Sequence, residues 1–376
     1  MSRLASSRLI ERRIEYMKIF IAANDSYGLY LFRRDLISRM IADGHEVYAS
    51  LPDGDCTERI KALGCTFIET KVDRRGINPK RDAALIHTYY KLLKEIRPDL
   101  VVTYTIKPNI YCGMAAKRLH IPYAINITGL GTAFQKDGPL KTLVKGLYHA
   151  GCDKAKVVFT ENPGIKEEMI AMNLFPADKI YVLHGAGVNT EHFALAPYPA
   201  EDKPVKFLFI GRVMQEKGVD ELFSAAKRLN AEGIACEFHV AGDYEEDYDE
   251  IIQQMQANEN LVYHGFLDDI RPLIASCHCF VLPSYHEGMA NTLLECGAMG
   301  RPLITSAIHG CMEAVNENVS GYLVPTQDAD SLYEAMKRLA LLPYEQKVQM
   351  GRASHDFVAA SFDKKQVVED TVRQLY

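Results

Sequence analysis

Short apolar segments alternate with amphipathic helical segments along almost the whole chain, and this alternation limits the possible folds more than any other feature. Lys18–Ala23 is a short apolar run, and a helical pattern with Leu29, Leu36 and Met40 at core spacing follows it. A parallel sheet with helices on both faces produces such a pattern. The sequence therefore predicts an α/β protein.

The first series of elements resembles one doubly wound domain. Further strands are predicted near residues 46–50, 65–69, 99–104, 122–128, 156–160 and 179–183. Helices are predicted near residues 57–63, 82–96, 109–119 and 163–172. No G-x-G-x-x-G motif accompanies the first strand and helix, which weakens the case for a dinucleotide ligand.

A second series begins at Val205–Gly211, after a polar, proline-bearing stretch without periodicity that we interpret as the interdomain linker. Its further strands are predicted near residues 235–241, 260–264, 278–282 and 302–305. Helices near residues 344–359 and 364–375 end the chain. Two doubly wound, Rossmann-like domains, at residues 17–196 and 204–360, would face each other across a cleft at the carboxyl ends of their strands, where open α/β sheets bind ligands.

Residues 1–16 are rich in arginine and precede the first convincing strand. We interpret them as an extension outside the folded domains that is either a short basic helix or the product of translation from an upstream start, and the second interpretation is preferred. No apolar run is long enough to span a bilayer, and no signal-peptide core follows the arginines. Any membrane contact is therefore expected to be peripheral.

Charge is divided unevenly along the chain. Residues 1–200 contain 28 Lys and Arg against 21 Asp and Glu, whereas the remainder contains 15 against 28. A basic first half is compatible with nucleic acid, but no helix-turn-helix, zinc-finger or RNA-binding motif accompanies it. An anionic lipid surface or a diphosphate-bearing acceptor explains the basic half more simply, so we predict no nucleic-acid partner.

The nine cysteines lack the spacing of a disulfide framework, which indicates reduced thiols and a cytoplasmic location. Cys277 and Cys279 flank His278 and could suggest a metal ligand set. Alternation in an apolar strand puts both thiols on one face, so packed thiols are the preferred interpretation. We predict no metal site.

The stretch Ser284–Glu295 carries the strongest functional signal. An apolar strand ends at Pro283, a loop with Gly288 follows, and a helical pattern then runs to Gly300. A helix that begins after such a loop can bind phosphate through its first backbone N–H groups. Two glutamates, Glu287 and Glu295, bracket this predicted anion site.

The E-x7-E spacing of Glu287 and Glu295 resembles the signature of the retaining glycosyltransferases of family 4, which have the GT-B fold. The segments 209–218, 240–243, 265–266 and 320–324 agree with that family. Within it, the segments 105–109, 128–131 and 310–315 are most similar to bacterial enzymes of surface-polysaccharide and lipid-linked glycan synthesis. The resemblance extends over nearly the whole chain from Met17.

The resemblance implies a hexosyltransferase that uses a UDP-sugar, with galactose or N-acetylgalactosamine favoured. Arg212 and Lys217 would bind the donor diphosphate and stabilise the departing UDP, which makes a metal ion unnecessary. Glu287 would contact the donor sugar and Glu295 the ribose diol. The further predicted donor-binding residues are Gly28, Gly211, Gly242, Phe266, Gly288, Met289, Ala290, Asn291, Thr292 and Leu293.

On the acceptor side, the candidates are Lys107, Asn109, Thr128 and Gly129. Many family members have a histidine where this chain has Thr128, so a histidine acting there is absent. A strand-end turn without catalytic function explains Lys107 and Thr128 almost as well. By resemblance, residues 361–376 form a helix that returns to the first domain.

Residues 139–156 form a predicted basic amphipathic helix with Leu140 and Leu143 on its apolar side, which suits either a membrane surface or an ordinary solvent-exposed helix. The preferred function is transfer from a UDP-sugar to a lipid-linked or polysaccharide acceptor at the inner face of the cytoplasmic membrane. The alternatives are a UDP-sugar 2-epimerase, which would lack the E-x7-E motif, and an inactive sugar-nucleotide-binding protein.

Overall fold

The structure is a computed structural model that describes residues 16–73, 78–129, 131, 134, 138–201 and 204–376. Residues 1–15 of the predicted extension at residues 1–16 lie outside the described residues, as do Leu130 of the segment 128–131 and residues 202–203 of the predicted linker at residues 187–204.

The first sheet has seven strands in the order β3-β2-β1-β4-β5-β6-β7. These strands are β1 Lys18–Ala22, β2 Glu46–Leu51, β3 Thr66–Glu69, β4 Leu100–Tyr104, β5 Tyr123–Ile127, β6 Val157–Thr160 and β7 Ile180–Val182. The intervening helices are α1 Ser26–Ala42, α2 Thr57–Ala62, α3 Pro79–Ile96, α4 Ile106–Leu119, α5 Pro139–Cys152 and α6 Pro163–Ala171. Strand β1 pairs in parallel with both β2 and β4, so the strand order reverses beside β1.

The second sheet has six strands in the order β10-β9-β8-β11-β12-β13. These strands are β8 Val205–Ile210, β9 Cys236–Ala241, β10 Leu261–Tyr263, β11 Cys279–Leu282, β12 Leu303–Ser306 and β13 Gly321–Val324. The remaining helices are α7 Val219–Ala231, α8 Asp249–Asn258, α9 Arg271–Ser276, α10 Asn291–Ala298, α11 Ala329–Leu341, α12 Tyr344–Ser361 and α13 Lys364–Leu375. The α/β class and both series of strands are confirmed.

Two helices begin three residues earlier than predicted, and both contain a proline in the first turn. Helix α3 begins at Pro79, where Asn78 caps it by accepting a hydrogen bond from the Arg81 N–H at 3.2 Å. Helix α4 begins at Ile106 and contains Pro108. The first N–H groups of a helix have no intrahelical partner, so proline is tolerated there.

The nine cysteines are free and buried, as expected from their spacing. Burial raises the pKa of the Cys65 thiol to about 12 and that of Cys277 to about 11. Cys277 and Cys279 belong to the core of the second sheet, which confirms their interpretation as packed thiols.

By their internal contacts, the residues form two compact units. One contains the described residues up to Ile125 together with Ala150–Val157 and Val372–Tyr376, and the other contains Asn126–His149 and Val158–Thr371. In the first unit, the Lys156 Nζ donates to the Leu375 carbonyl at 2.7 Å. The domain boundaries drawn at residues 196, 204 and 361 stay a prediction.

Candidate functional site

The two central strands of the second sheet end at neighbouring loops. Strands β8 and β11 pair through Cys279 with Phe207 and Phe280 with Leu208. The strand order reverses between them, and this is the position at which open parallel sheets bind ligands. The loop after β8 carries Arg212, and the loop after β11 leads into α10, so the sheet brings the two main predicted motifs to one edge.

Helix α10 begins at Asn291, after the predicted loop, and its cap residue Ala290 makes no side-chain hydrogen bond to the helix. The helix ends at Ala298, and Gly300 has a φ of 78°, which favours glycine. This geometry confirms the predicted strand–loop–helix unit. A helix start without a side-chain cap suits an anion.

The backbone on both sides of Gly288 is closely packed. A Cβ at Gly288 would overlap the carbonyl oxygen of Thr128, and the Asn162 side-chain amide donates to the Gly288 carbonyl. On the other side, the Ala290 N–H donates to the Gly310 carbonyl at 2.8 Å. Glycine is therefore required at position 288 for a steric reason, in addition to any contact with a ligand.

Lys217 and Glu287 form an ion pair, with the Nζ and Oε1 atoms 2.5 Å apart and side chains that are 17% and 12% exposed. The loops that carry them are joined by a hydrogen bond from the Tyr285 N–H to the Glu216 carbonyl at 2.9 Å. A Cβ at Gly218, whose φ is 72°, would overlap the Pro283 carbonyl oxygen. The structure thus brings together two of the three predicted catalytic residues.

The third predicted catalytic residue, Arg212, has a different carboxylate partner. Its side chain is exposed and lies 3.4 Å from the Glu245 carboxylate. The convergence of Arg212 and Lys217 on one diphosphate stays a prediction. An exposed ion pair contributes little free energy, so a diphosphate would compete well with Glu245 for the guanidinium.

Three glycine-containing loops meet beside Arg212. A Cβ at Gly242, whose φ is 135°, would overlap the Gly211 carbonyl. The Gly242 N–H donates to the Gly265 carbonyl at 2.8 Å. Phe266 follows and exposes about half of its surface. The predicted donor-binding residues Gly211, Gly242 and Phe266 are therefore carried by adjacent loops.

The predicted donor-binding residues of the α10 region differ in burial. The side chains of Met289, Ala290 and Leu293 are buried in the hydrophobic core of the second sheet. They can therefore contact a ligand only through the backbone. Asn291, Thr292 and Glu295 are half-buried and keep accessible side-chain surface.

Among the residues of the first sheet, Gly28 has a local structural role. Its N–H donates to the Asp25 carboxylate at 2.6 Å, and this bond caps α1. A Cβ at Gly28 would lie 3.2 Å from both carboxylate oxygens, which is a tight contact. The cap explains this glycine without a phosphate, and its predicted donor contact stays a prediction.

The acceptor candidates on α4 are both engaged in protein contacts. Lys107 pairs with Asp82 at 2.9 Å, and both side chains are largely buried. Asn109 is 1% exposed and accepts a hydrogen bond from Thr103 at 2.6 Å. Asn109 is thus a core residue, and the predicted contact with an acceptor is corrected. Thr105, just before Lys107, has a φ of 71°, a strained conformation for threonine.

Four residues that sequence reasoning did not identify lie at this site. A Cβ at Gly288 would lie 3.3 Å from a carboxylate oxygen of Glu161. Asn162 caps α6 by accepting from the Ile165 N–H at 2.8 Å, in addition to its bond to Gly288. His309 and Glu313 lie in the loop of Gly310 and form a pair. Asn162 before a proline was a detectable helix-start signal, whereas the contacts with Gly288 are tertiary.

Within the described residues, no group of three or more His, Cys, Asp or Glu side chains has the geometry to hold a metal ion. The same residues include no helix with the length and hydropathy needed to cross a bilayer.

Two family models match the chain, "Glycosyl transferase 4-like" over residues 18–162 and "Glycosyl transferases group 1" over residues 204–341. A similar curated protein is the N,N'-diacetylbacillosaminyl-diphospho-undecaprenol alpha-1,3-N-acetylgalactosaminyltransferase of Campylobacter jejuni. It is 26% identical, with 96% of this chain and 97% of the relative covered. The UDP-Gal:alpha-D-GlcNAc-diphosphoundecaprenol alpha-1,3-galactosyltransferase of Escherichia coli is 29% identical, with 70% and 72% covered.

Among solved structures, Anabaena Alr3699/HepE in complex with UDP and glucose has a TM-score of 0.80 at 16% identity, with 96% of this chain and 99% of that chain covered. A glycosyltransferase from Rickettsia africae ESF-5 has a TM-score of 0.79 at 17% identity, with 96% and 97% covered. The chain therefore belongs to the group 1, family 4-like glycosyltransferases and has their GT-B fold.

Proposed function

We propose that the protein is a retaining hexosyltransferase that moves a hexose or N-acetylhexosamine from a UDP-sugar to a lipid-linked acceptor in bacterial glycan synthesis. The product would be a capsule, O-antigen, exopolysaccharide or glycoprotein glycan. The observation that carries the proposal is the Lys217–Glu287 pair beside the start of α10, at the point where the strand order reverses. The names of the Campylobacter and Escherichia relatives support galactose or N-acetylgalactosamine as the sugar.

In this proposal, the donor lies along the carboxyl edge of the second sheet. The start of α10 and the side chains of Lys217 and Arg212 hold the diphosphate and stabilise its charge as UDP departs. Glu295 accepts hydrogen bonds from the ribose hydroxyls, since one carboxylate can bind a vicinal diol. Phe266, Gly211 and Gly242 border the base.

Glu287 contacts the hydroxyl groups of the donor sugar and stabilises positive charge at C1. The acceptor hydroxyl attacks from the side of the leaving group, and the departing phosphate helps take its proton. The protein then contributes mainly orientation and charge stabilisation. We expect no metal requirement, because Arg212 and Lys217 supply the positive charge at the diphosphate.

On the acceptor side, we propose that Thr128 and Gly129 border the acceptor. Lys107 would contact an acceptor phosphate only by exchanging its present partner Asp82, with which it forms a largely buried pair. Asn109 is left out of this proposal because it is buried.

Peripheral contact with the inner face of the cytoplasmic membrane is part of the proposal. Leu140 and Leu143, on α5, each expose nearly half of their surface, and Lys141 and Lys145 are on the same helix. Apolar side chains beside lysines suit an anionic membrane interface. Co-sedimentation with anionic liposomes at low salt tests this contact: we expect binding by the native protein and weaker binding by Leu140→Ser/Leu143→Ser. If the native protein did not bind the liposomes, the proposed membrane contact would be wrong.

Thermal unfolding against UDP, GDP, ADP, CMP and NAD, with and without Mg²⁺, tests the donor assignment. A ligand at 100 times its Kd adds about 2.7 kcal/mol to the free energy of unfolding, which shifts Tm by several degrees. We expect a shift with UDP in the absence of metal. A shift with NAD alone, or with no nucleotide, would contradict the proposal.

Turnover separates the proposed transferase from the two alternatives. An inactive sugar-nucleotide-binding protein would bind UDP without releasing it from any UDP-sugar, whereas a 2-epimerase would change the sugar without transferring it. The curated relatives named above are transferases and give no support to the epimerase.

We expect Glu295→Ala to weaken UDP binding, and unchanged binding would count against the ribose contact.

A further inference from the structure

The loop after β12 places an imidazole beside the proposed donor site. His309 Nδ1 lies 2.7 Å from Glu313 Oε1, and the Gly310 N–H donates to the other carboxylate oxygen of Glu313 at 2.7 Å. One carboxylate thus holds both the ring and the backbone of this loop. A nitrogen facing a carboxylate carries the hydrogen, so Nδ1 is the protonated nitrogen and Nε2 of the neutral ring keeps its lone pair.

Two neighbours define the surroundings of the ring. A Cβ at Gly164, in the first turn of α6, would overlap Cγ and Cδ2 of His309. This edge of the ring therefore faces α6, and Nδ1 faces Glu313. The side chain is still 47% exposed, and Nε2 makes no hydrogen bond to the residues that the structure describes.

The same loop lies directly against the E-x7-E loop. A Cβ at Gly310, whose φ is 89°, would be 2.7 Å from the Glu287 carbonyl oxygen and 2.6 Å from that of Gly288. The Gly310 carbonyl accepts from the Ala290 N–H at 2.8 Å. The position of His309 is thus tied to the backbone of Glu287, the residue proposed to contact the donor sugar.

The surroundings of His309 differ from those of the nucleotide-binding residues. The imidazole lies against Gly164 on α6, and Gly288 lies against Asn162 and the Thr128 carbonyl. These segments follow β5 and β6, where the proposed acceptor residues lie. Lys217 and Arg212, by contrast, are carried by the loop after β8.

We propose that His309 binds the acceptor, with Nε2 accepting a hydrogen bond from an acceptor-sugar hydroxyl adjacent to the one that attacks C1 of the donor. This assignment rests on the proposed function and names the group that orients its acceptor. In the step, the bond from the acceptor oxygen to C1 forms and the bond from C1 to the UDP oxygen breaks. The hydroxyl proton passes to the departing diphosphate, and His309 ends the step in its starting protonation state. Glu313 is a positioning residue that acts through His309.

Two substitutions at His309 separate the functions of its two nitrogens. Asparagine can replace Nδ1 as a donor to Glu313 but has no atom at the position of Nε2, whereas glutamine can place an amide oxygen there. The assay measures transfer from a UDP-hexose or UDP-N-acetylhexosamine to a synthetic polyprenyl-diphosphate-linked N-acetylhexosamine. We expect His309→Asn to lower kcat/KM for the acceptor about 10- to 100-fold, within the usual range for a group that orients a reacting atom, and His309→Gln to recover most of it.

A third variant displaces the ring without changing its chemistry. Gly164→Ala adds a methyl group at the position of the His309 ring edge, while alanine is favoured over glycine within a helix. We expect it to raise the acceptor KM as His309→Asn does and to leave the UDP-induced Tm shift unchanged. His286→Asn is the matched control, because this exposed histidine precedes Glu287 and has no role in the proposal.

Normal acceptor kinetics in His309→Asn would overturn the assignment and leave the proposed function intact. A loss of the UDP-induced Tm shift in His309→Asn would also overturn the assignment, because it would show that His309 supports the structure of the donor site. If the native enzyme transferred no sugar, the proposed function would fail and the assignment with it.

Discussion

Lys217 and Glu287, 70 positions apart in sequence, form an ion pair with 2.5 Å between Nζ and Oε1. Each residue follows a different central strand of the second sheet. Because β8 and β11 are neighbours, the loops that follow them meet at one edge. The pair therefore results from the strand order and gives the site a positive charge beside a carboxylate.

Replacing either member of this pair should separate catalysis from binding. We expect Glu287→Gln to retain UDP binding and to lower kcat about 10²- to 10³-fold, the usual cost of losing one group that stabilises developing charge. Lys217→Met should weaken UDP binding as well, and should destabilise the fold by about 1–3 kcal/mol because Glu287 loses its partner while largely buried. Steady-state kinetics, UDP titration and urea unfolding measure these effects.

Lys365→Met is the matched control for Lys217→Met. Lys365 pairs with Glu191 at a similar distance, 2.6 Å, but both side chains are about three-quarters exposed. We expect no measurable change in stability or activity. Equal effects of the two substitutions would mean that burial does not determine the importance of the Lys217–Glu287 pair.

Alanine at position 288 should disrupt the site for steric reasons. The added methyl group overlaps the Thr128 carbonyl, and backbone atoms on both sides cannot move independently. We expect a loss of several kcal/mol in the free energy of unfolding, on the scale of severe overpacking, and a loss of UDP binding. A Cβ at the nearby Gly129 meets no atom within 4 Å, so Gly129→Ala should leave Tm nearly unchanged. Similar Tm values for both variants would contradict the close packing.

Alanine at position 242 would introduce both backbone strain and a steric clash, whereas alanine at position 233 would introduce backbone strain alone. Gly233 has a φ of 70° and open space around a Cβ, so Gly233→Ala should cost about 1–2 kcal/mol from the left-handed conformation alone. Gly242→Ala should cost more, because its methyl group also overlaps the Gly211 carbonyl. Urea denaturation compares the two, and a smaller effect at Gly242 would contradict the contact between these loops.

Stability should fall on acidification because His278 is buried as a neutral ring. Burial, together with the nearby charges of Lys347, Arg301 and Lys206, lowers its pKa to about 4. Its Nδ1 accepts from the Lys206 N–H at 3.0 Å. Between pH 6.5 and 4 the unfolded state binds the proton and the folded state does not, so stability decreases as pH falls through this window.

Between pH 7 and pH 5 this effect is on the order of 2 kcal/mol, since each pKa unit corresponds to about 1.4 kcal/mol. His239 and His264, whose pKa values are also lowered by burial, act in the same direction. Urea unfolding at pH 7 and pH 5 should show a smaller loss for His278→Gln than for the native protein. If His278→Gln and the native protein lost the same stability between pH 7 and pH 5, groups other than His278 would be responsible for the loss.

Local sequence pattern was sufficient for most secondary structure. Strands buried on both faces appear as apolar runs, and helices repeat every 3.6 residues, so each leaves a signal within about ten residues. Strand β13, Gly321–Val324, was noted as a family segment but not as a strand, since four residues beginning with glycine have little periodicity. The glycines of the donor loops were also detectable, because a turn or helix boundary surrounds each one.

Contacts between distant segments required the tertiary structure. The sequence by itself determined the α/β class, the positions of the strands and the E-x7-E loop, because these depend on neighbouring residues. Only the tertiary structure decided that Asn109 is buried, that Arg212 lies beside Glu245, and that the His309 ring is held by Glu313 and Gly164. Burial and side-chain direction depend on which strands are neighbours, and that information is distributed over the whole chain.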